Sequence, residues 1–245
     1  TVYHVHGWGQ ILSPSIFQPL QRVAARTVVH CHDFFLACPN GVFFDFQKDL
    51  DCTRKPLGLA CALTHCDKRS YAQKGWRLAR HGWFRHVFSQ SAPWAAIVLI
   101  HPMMKPQMVQ ADYPSERIVT VRNPALPFSP SRIKAEANQG FVFVGRVEPD
   151  KGIRELIAAV RLAKVPLMVI GEGPLRQELA RANPDVVFPG WKGRREIGAL
   201  IQNARALVMP SRFREPFGLV AVEASQSGLP VILPDSALLA VEITQ

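Results

Sequence analysis

Two glutamates separated by seven residues, Glu215 and Glu223, bracket the turn Pro216–Phe217–Gly218 and the apolar run behind it. Gly228 and Pro230 halt that run, as at a helix C-terminus. Leu207 to Pro210 ahead of it is short, apolar and closed by proline, the pattern of a buried strand. The stretch therefore reads strand, loop, helix, with Glu215 in the loop and Glu223 inside the helix. The backbone N–H groups of Gly218, Leu219 and Val220 would open the helix and can hold an anion. A carboxylate one turn deeper repels that anion but accepts hydrogen bonds from neighbouring hydroxyls, as on a ribose. The pairing suits a nucleotide diphosphate that carries a sugar. Two cations could serve the same ligand. Arg146 and Lys151 fall between a strand end and a helix start in FVFVGRVEPDK, where a guanidinium can fork onto phosphate oxygens and an ammonium adds a compact charge.

These stretches resemble family 4 glycosyltransferases, retaining enzymes of the GT-B fold. Glu215 and Glu223 match the family's E-x7-E signature, and Phe141–Lys151 its strand followed by Gly-Arg and, five residues on, Lys. Gly171–Glu172–Gly173–Pro174 matches its Gly-x-Gly-Pro. The resemblance implies an α/β protein of two Rossmann-like domains whose parallel sheets face a central cleft, both cut short here. It implies transfer of a sugar from a UDP- or GDP-sugar to a glycan or lipid-linked acceptor in cell-surface polysaccharide synthesis. It implies no cofactor and no metal. The implied roles are Arg146 and Lys151 on the diphosphate, Glu215 on a sugar hydroxyl and Glu223 on the ribose. Gly145, Gly171, Phe217, Gly218 and Leu219 would line the donor site, with the base near Trp191 and Lys192. A Trp191 that merely shields the site from solvent is an equal alternative. His32 would face the donor sugar, or else only cap its strand beside Asp33. Two other classes compete: a truncated binding module that holds a nucleotide without turnover, and a sugar-nucleotide epimerase of the same fold.

The elements that must position these residues alternate regularly from Gly140. Strands are expected at Phe141–Val144, Pro166–Ile170, Val186–Phe188, Leu207–Met209 and Val231–Leu233. Helices are expected at Ile153–Lys164, Leu175–Asn183, Arg195–Asn203 and around Glu223. Such alternation predicts a parallel, doubly wound sheet. No Gly-x-Gly-x-x-Gly follows the first strand and no Gly-Lys-Ser/Thr loop occurs, which disfavours a dinucleotide enzyme and a P-loop NTPase. Prolines at 124, 127 and 130 and a polar run to Gln139 suggest a linker at 127–139, between an N-terminal domain (1–126) and a C-terminal donor-binding domain (140–245).

The N-terminal part reads less regularly. Strands are expected at Thr1–Gly7, Thr27–Cys31 and Ser115–Val121, and a helical segment from Ser13–Pro14 to about Arg26. The segment carrying Cys38, Cys52, Cys61 and Cys66 is turn-rich. Its spacings of thirteen, eight and four intervening residues fit no common zinc knuckle, so buried free thiols compete with a zinc site that could also use His65. Ser70–Val87 reads as an amphipathic helix with Ala72, Trp76, Ala79, Trp83 and Val87 on one stripe and Lys74, Arg77 and Arg85 opposite. That stripe suits either a protein core or an anionic membrane with tryptophans at headgroup level.

Composition bounds the rest. With 245 residues the chain has room for two ordinary cores, and its mean hydropathy is near zero. The longest apolar run, Ala92–Ile100, is far short of the about 20 residues a membrane span needs. Residues 1–138 carry 16 Lys and Arg against 8 acids, whereas 139–245 carry 13 against 11. The basic N-terminal part lacks any nucleic-acid recognition motif. A cytoplasmic protein, peripheral on the inner face of the membrane, is the expectation.

Overall fold

Phe141, Val142, Phe143 and Val144 are all apolar because their strand is covered on both faces. In the computed structural model, which describes residues 1–243, Val142 points into one core with Ile201, Ala221 and Ala224, and Phe143 into another with Leu156, Ile157 and Leu179. The same period of two splits Ile170 from Val169 and Leu207 from Val208. The chain divides into two compact units, Thr1–Asn123 and Pro124–Gln245. The expected end of the second domain, Thr244 and Gln245, lies outside the described residues.

The N-terminal unit runs β1 (Tyr3–His6), α1 (Trp8–Ile11), α2 (Phe17–Gln21), β2 (Thr27–Cys31), β3 (Phe44–Asp45), β4 (Leu50–Asp51), α3 (Leu59–Leu63), α4 (Tyr71–Val87), β5 (Ala96–Leu99), α5 (Lys105–Gln110) and β6 (Ile118–Thr120). Its main sheet is parallel, in the order β1-β2-β5-β6, and β3 and β4 form a small antiparallel pair. The apolar run Ala92–Ile100, weighed above only as a membrane candidate, supplies β5. An aromatic stack fills the adjacent core. Trp8 lies flat on Phe84 and Phe88 flat on Trp94, with Phe17 edge-on to both Phe residues. The helical segment expected from Ser13 to Arg26 is broken into 3-10 turns at Pro14–Ile16 and Ala24–Arg26 flanking α2.

The expected face of α4 is reversed except at Val87. Ser70 caps the helix by accepting from the Gln73 N–H (3.2 Å), as a helix N-cap should. Its buried positions, however, are Lys74, His81, Phe84 and Val87, while Trp76 and Trp83 are 59% and 51% exposed and Ala72 and Ala79 are exposed with them. The reason lies in the cysteine segment, which supplies acceptors for the cations. Lys74 Nζ donates to Cys66 Sγ (3.1 Å) and Cys61 Sγ (3.6 Å), and Arg77 pairs with the buried Asp67 (3.0 Å). Arg85 donates to the Ala111 carbonyl (3.0 Å). Burial of a cation is tolerable only with such partners, and here they outweigh the apolar stripe. No helix among the described residues is long and apolar enough to cross a membrane.

The C-terminal unit runs β7 (Gly140–Val144), α6 (Ile153–Ala163), β8 (Leu167–Ile170), α7 (Arg176–Ala182), β9 (Val187–Gly190), α8 (Arg194–Leu200), β10 (Ala204–Val208), α9 (Leu219–Gln226), β11 (Val231–Ile232) and α10 (Ala240–Ile243). Its five strands are parallel, in the order β11-β10-β7-β8-β9. Residues 127–139, expected as a linker, pack on this unit: Ile133 is fully buried in its core, and Phe128 and Ser129 N–H donate to Ser227 Oγ. Both units are thus parallel-sheet α/β structures of Rossmann type, as the resemblance implied.

His81 sets an acid limit on the N-terminal unit. Burial, then Arg85, Arg80 and Lys74 nearby, push its pKa down to about 3, against a hydrogen bond with the Ala37 backbone that raises it. A lowered histidine pKa means the unfolded chain binds the proton more tightly. Stability from neutral His81 is therefore complete above about pH 6.5 and lost as pH falls toward about 3, by at most about 1.4 kcal/mol per pH unit. The melting temperature should fall on acidification below pH 6.5, and less steeply in His81→Gln. Parallel falls in both proteins would show that another group sets the limit.

Candidate functional site

In an open parallel sheet, ligands bind beyond the C-terminal strand ends where the strand order reverses. That reversal lies between β7 and β10, the two neighbours from which the chain winds outward in opposite directions. The loops after these strands are 145–152 and 209–218, and they carry Arg146, Lys151, Glu215 and Gly218.

These two loops are clamped together. Arg212 N–H donates to the Asp150 carbonyl (3.0 Å), and Lys151 Nζ lies 2.7 Å from Glu215 Oε2. Ser211 Oγ donates to the same carboxylate oxygen (2.8 Å), and the ammonium also sits 4.9 Å from the Phe213 ring centroid. Side chains of the ion pair are only 13% and 18% exposed, so it is shielded from the screening that leaves most surface pairs nearly neutral in effect. Gly152 makes the approach possible. It adopts φ 68° ahead of α6, and a Cβ there would meet the Pro210 carbonyl oxygen at 2.0 Å.

A second group forms a cavity of about 330 Å³ beyond β7, β8 and β9, lined by Gly145, Arg146, Gly171, Trp191 and Lys192 among others. The loops around it are stitched by backbone hydrogen bonds from Gly145 to Ile170, Val147 to Glu172 and Gly171 to Gly190. Gly171 is required there, since a Cβ would lie 1.8 Å from the Gly145 carbonyl oxygen. Trp191 is 72% exposed at the rim, Lys192 pairs with Glu196 (3.3 Å), and Arg146 reaches Glu148 (2.8 Å).

The third group is the start of α9. The first N–H to turn back within the helix is that of Ala221, donating to Gly218 O (2.9 Å), so the N–H groups of 218–220 precede the ladder. Phe217 is buried beside this turn. A Schellman ending closes the helix: Gly228 N–H donates to Ser225 O and Leu229 N–H to Ala224 O, with Gly228 at φ 77°. Glu223 does project from within the helix, but its Oε1 is held by Arg194 Nη1 at 2.6 Å. Arg194 also donates to the Leu126 and Pro127 carbonyls and lies over the Phe128 ring. Sequence reasoning missed Arg194, because nothing in the local pattern of α8 links it to a glutamate 29 residues away.

His32 lies in the other unit, exposed, with Nε2 3.0 Å from His6 Nδ1. The five cysteines are free thiols. Among the described residues, three ligand atoms within reach of one ion occur at His4, His6 and His30 rather than in the cysteine segment, where the Lys74 ammonium meets Cys61 and Cys66. Burial pushes the Cys38 thiol up to about 11, and raises Cys66 against the pull of Lys74.

Residues 138–244 match the family described as Glycosyl transferases group 1. The C-terminal unit thus carries that family's pattern. Over 199 residues the chain is 28% identical to the uncharacterized glycosyltransferase YqgM of Bacillus subtilis, covering 75% of this chain and 54% of that protein. Over 122 residues it is 30% identical to the GDP-mannose-dependent alpha-mannosyltransferase of Corynebacterium glutamicum, covering 50% of this chain and 28% of that one. The chain therefore spans about half or less of the length of these relatives. Among solved structures, HepE of Anabaena in complex with UDP superposes with a TM-score of 0.57 at 19% identity, covering 94% of this chain and 65% of that one. At this identity the likeness is one of fold, and it agrees with the GT-B class implied by the sequence motifs.

Proposed function

We propose that the protein is a retaining glycosyltransferase of the family 4 kind. It would move a sugar from a UDP- or GDP-sugar to a glycan or lipid-linked acceptor in cell-surface polysaccharide synthesis. The observation that carries this reading is the Lys151–Glu215 clamp at the strand-order reversal, beside the open N-terminus of α9. Sugar transfer from a nucleotide requires stabilisation of the negative charge that grows on the departing diphosphate. Lys151 has donors beyond the one spent on Glu215, and Arg146 is mostly exposed at the neighbouring cavity, so both can address phosphate oxygens. The N–H groups of Gly218 and Leu219 would add backbone donors to the same anion.

On this reading Glu215 orients the sugar. Its Oε2 already accepts from Lys151 and Ser211, so a sugar hydroxyl falls to Oε1. Glu223 takes a ribose hydroxyl through Oε2 while Arg194 holds Oε1 in place. The base rests in the cavity of Gly145 and Gly171, with Trp191 and Lys192 at its edge. His32, just past β2 in the N-terminal unit, is that unit's candidate sugar-binding residue. The Phe217 ring, buried under the turn, fixes the start of α9.

Glu223→Gln should weaken UDP or GDP binding about ten- to a hundredfold, the loss of one charged hydrogen bond. Glu215→Gln should weaken the nucleotide-sugar more than the bare nucleotide, since losing the partner of Lys151 touches both ligands and losing the sugar contact touches only one. Calorimetric titration of each variant against both ligands, with melting curves as a fold control, separates the roles. Equal loss of both ligands in both variants would refute the division, and no loss in either would leave the two glutamates as structural partners of Lys151 and Arg194.

We also propose peripheral contact with anionic membrane through the outer face of α4. Trp76 and Trp83 stand exposed there with Tyr71, and Leu59 and Leu63 of α3 are exposed beside the start of α4, where Tyr71 OH donates to Ala62 O. Lys68 and Arg69 are exposed in the connection between the two helices. Indole rings beside cations suit the headgroup layer. Co-sedimentation with phosphatidylserine liposomes should fall as salt rises and in the variant carrying Trp76→Ala and Trp83→Ala. Sedimentation indifferent to salt, lipid charge and both tryptophans would remove the membrane from this account.

A further inference from the structure

The first and second strands of the N-terminal unit each end in a His-x-His pair: His4 and His6 on β1, and His30 and His32 on and just after β2. Side chains two apart on a strand share a face. The strands are parallel and adjacent, with His6 directly opposite His30, so all four imidazoles gather on one face of the sheet near its C-terminal edge. Their ring centroids confirm it. His6 lies 4.7 Å from His30 and 4.0 Å from His4, while His32 lies 4.5 Å from His30.

One nitrogen from each of His4, His6 and His30 can be chosen so that all three lie within 4.8 Å of one another. Three nitrogens around a tetrahedral zinc-class ion stand about 3.3 Å apart, given metal–nitrogen bonds of about 2.0–2.1 Å. Small turns of the two exposed rings, His4 and His6, toward the third would close the remaining gap. His30 is the fixed member. It is 91% buried by its 9% relative exposure, and neither ring nitrogen has a hydrogen-bond partner among the described residues. A buried polar group without a partner is costly and calls for one. The pairing of His6 Nδ1 with His32 Nε2 (3.0 Å) occupies that nitrogen and leaves His6 Nε2 for a metal, with His32 as its outer partner.

We propose that His4, His6 and His30 form a binding site for a divalent transition cation of the zinc class, with His32 as a positioning residue. Neutral imidazoles suit zinc, cobalt, nickel and copper over magnesium or calcium, which take oxygen. Three protein nitrogens leave the fourth position to water or to an oxygen of a bound ligand. The three ligands play no part in the nucleotide-binding reading, which shares only His32 with this site, so cobalt uptake tests the site separately.

Titration of the whole protein with Co²⁺, read by its visible absorption, tests the proposal and identifies the ligands. The expected result is one equivalent bound without the thiolate-to-cobalt charge-transfer band that the cysteine segment would give. His6→Ala, at an exposed ring whose loss leaves the core intact, should weaken that binding more than a hundredfold. His32→Ala should weaken it tenfold to a hundredfold, the usual cost of losing an outer partner. The variant with Cys61→Ser and Cys66→Ser should bind as the parent does. No uptake of cobalt would overturn the site, as would uptake that persists unchanged in His6→Ala. So would a thiolate band that disappears with the two serine substitutions.

Discussion

A lysine ammonium held between a carboxylate and a phenyl ring governs the geometry of the candidate site. Lys151 ends the loop after β7, Glu215 and Phe213 belong to the loop after β10, and the pair spans the place where strand order reverses. The backbone bond from Arg212 to Asp150 and the contact of Gly152 with Pro210 hold the same two loops. Because the pair is mostly buried, loss of either partner would leave a charge without compensation. The loops therefore keep their spacing before any ligand arrives, and a site organised in advance loses less entropy on binding.

The sheet explains why the remaining groups fall around this clamp. Five parallel strands end on one edge, and the loops beyond β7, β8 and β9 bring Gly145, Gly171 and Trp191 to a common cavity. Close approach of the first two loops depends on a missing side chain at Gly171, while α9 begins where the β10 loop ends. Cations, backbone donors and carboxylates are thus gathered within one unit, the arrangement that recognition of a sugar-bearing diphosphate calls for.

Much of this was legible in the sequence where the signal is local. The runs FVFV and LMVI, each followed by glycine, specify buried strands and tight exits, and the glycine and proline after α9 specify its end. Long-range pairing was not legible. Arg194 reaches Glu223 across 29 residues, and no periodicity in α8 announces it. The face of α4 was misread for the same reason: the acceptors that draw Lys74, Arg77 and Arg85 inward lie in other segments. The four histidines appear in sequence as two separate pairs, and only the parallel register of β1 and β2 unites them.

The central claim is that the clamp and its neighbours recognise the second phosphate of a nucleotide. Calorimetric comparison of UDP and GDP with UMP and GMP on the unmodified protein tests it most directly. One charge-assisted contact is worth about 1.5–3 kcal/mol, so with Arg146 or Lys151 on the second phosphate at least one diphosphate should bind at least about tenfold to a hundredfold more tightly than its monophosphate. Equal affinity for diphosphate and monophosphate, with either base, would contradict the account.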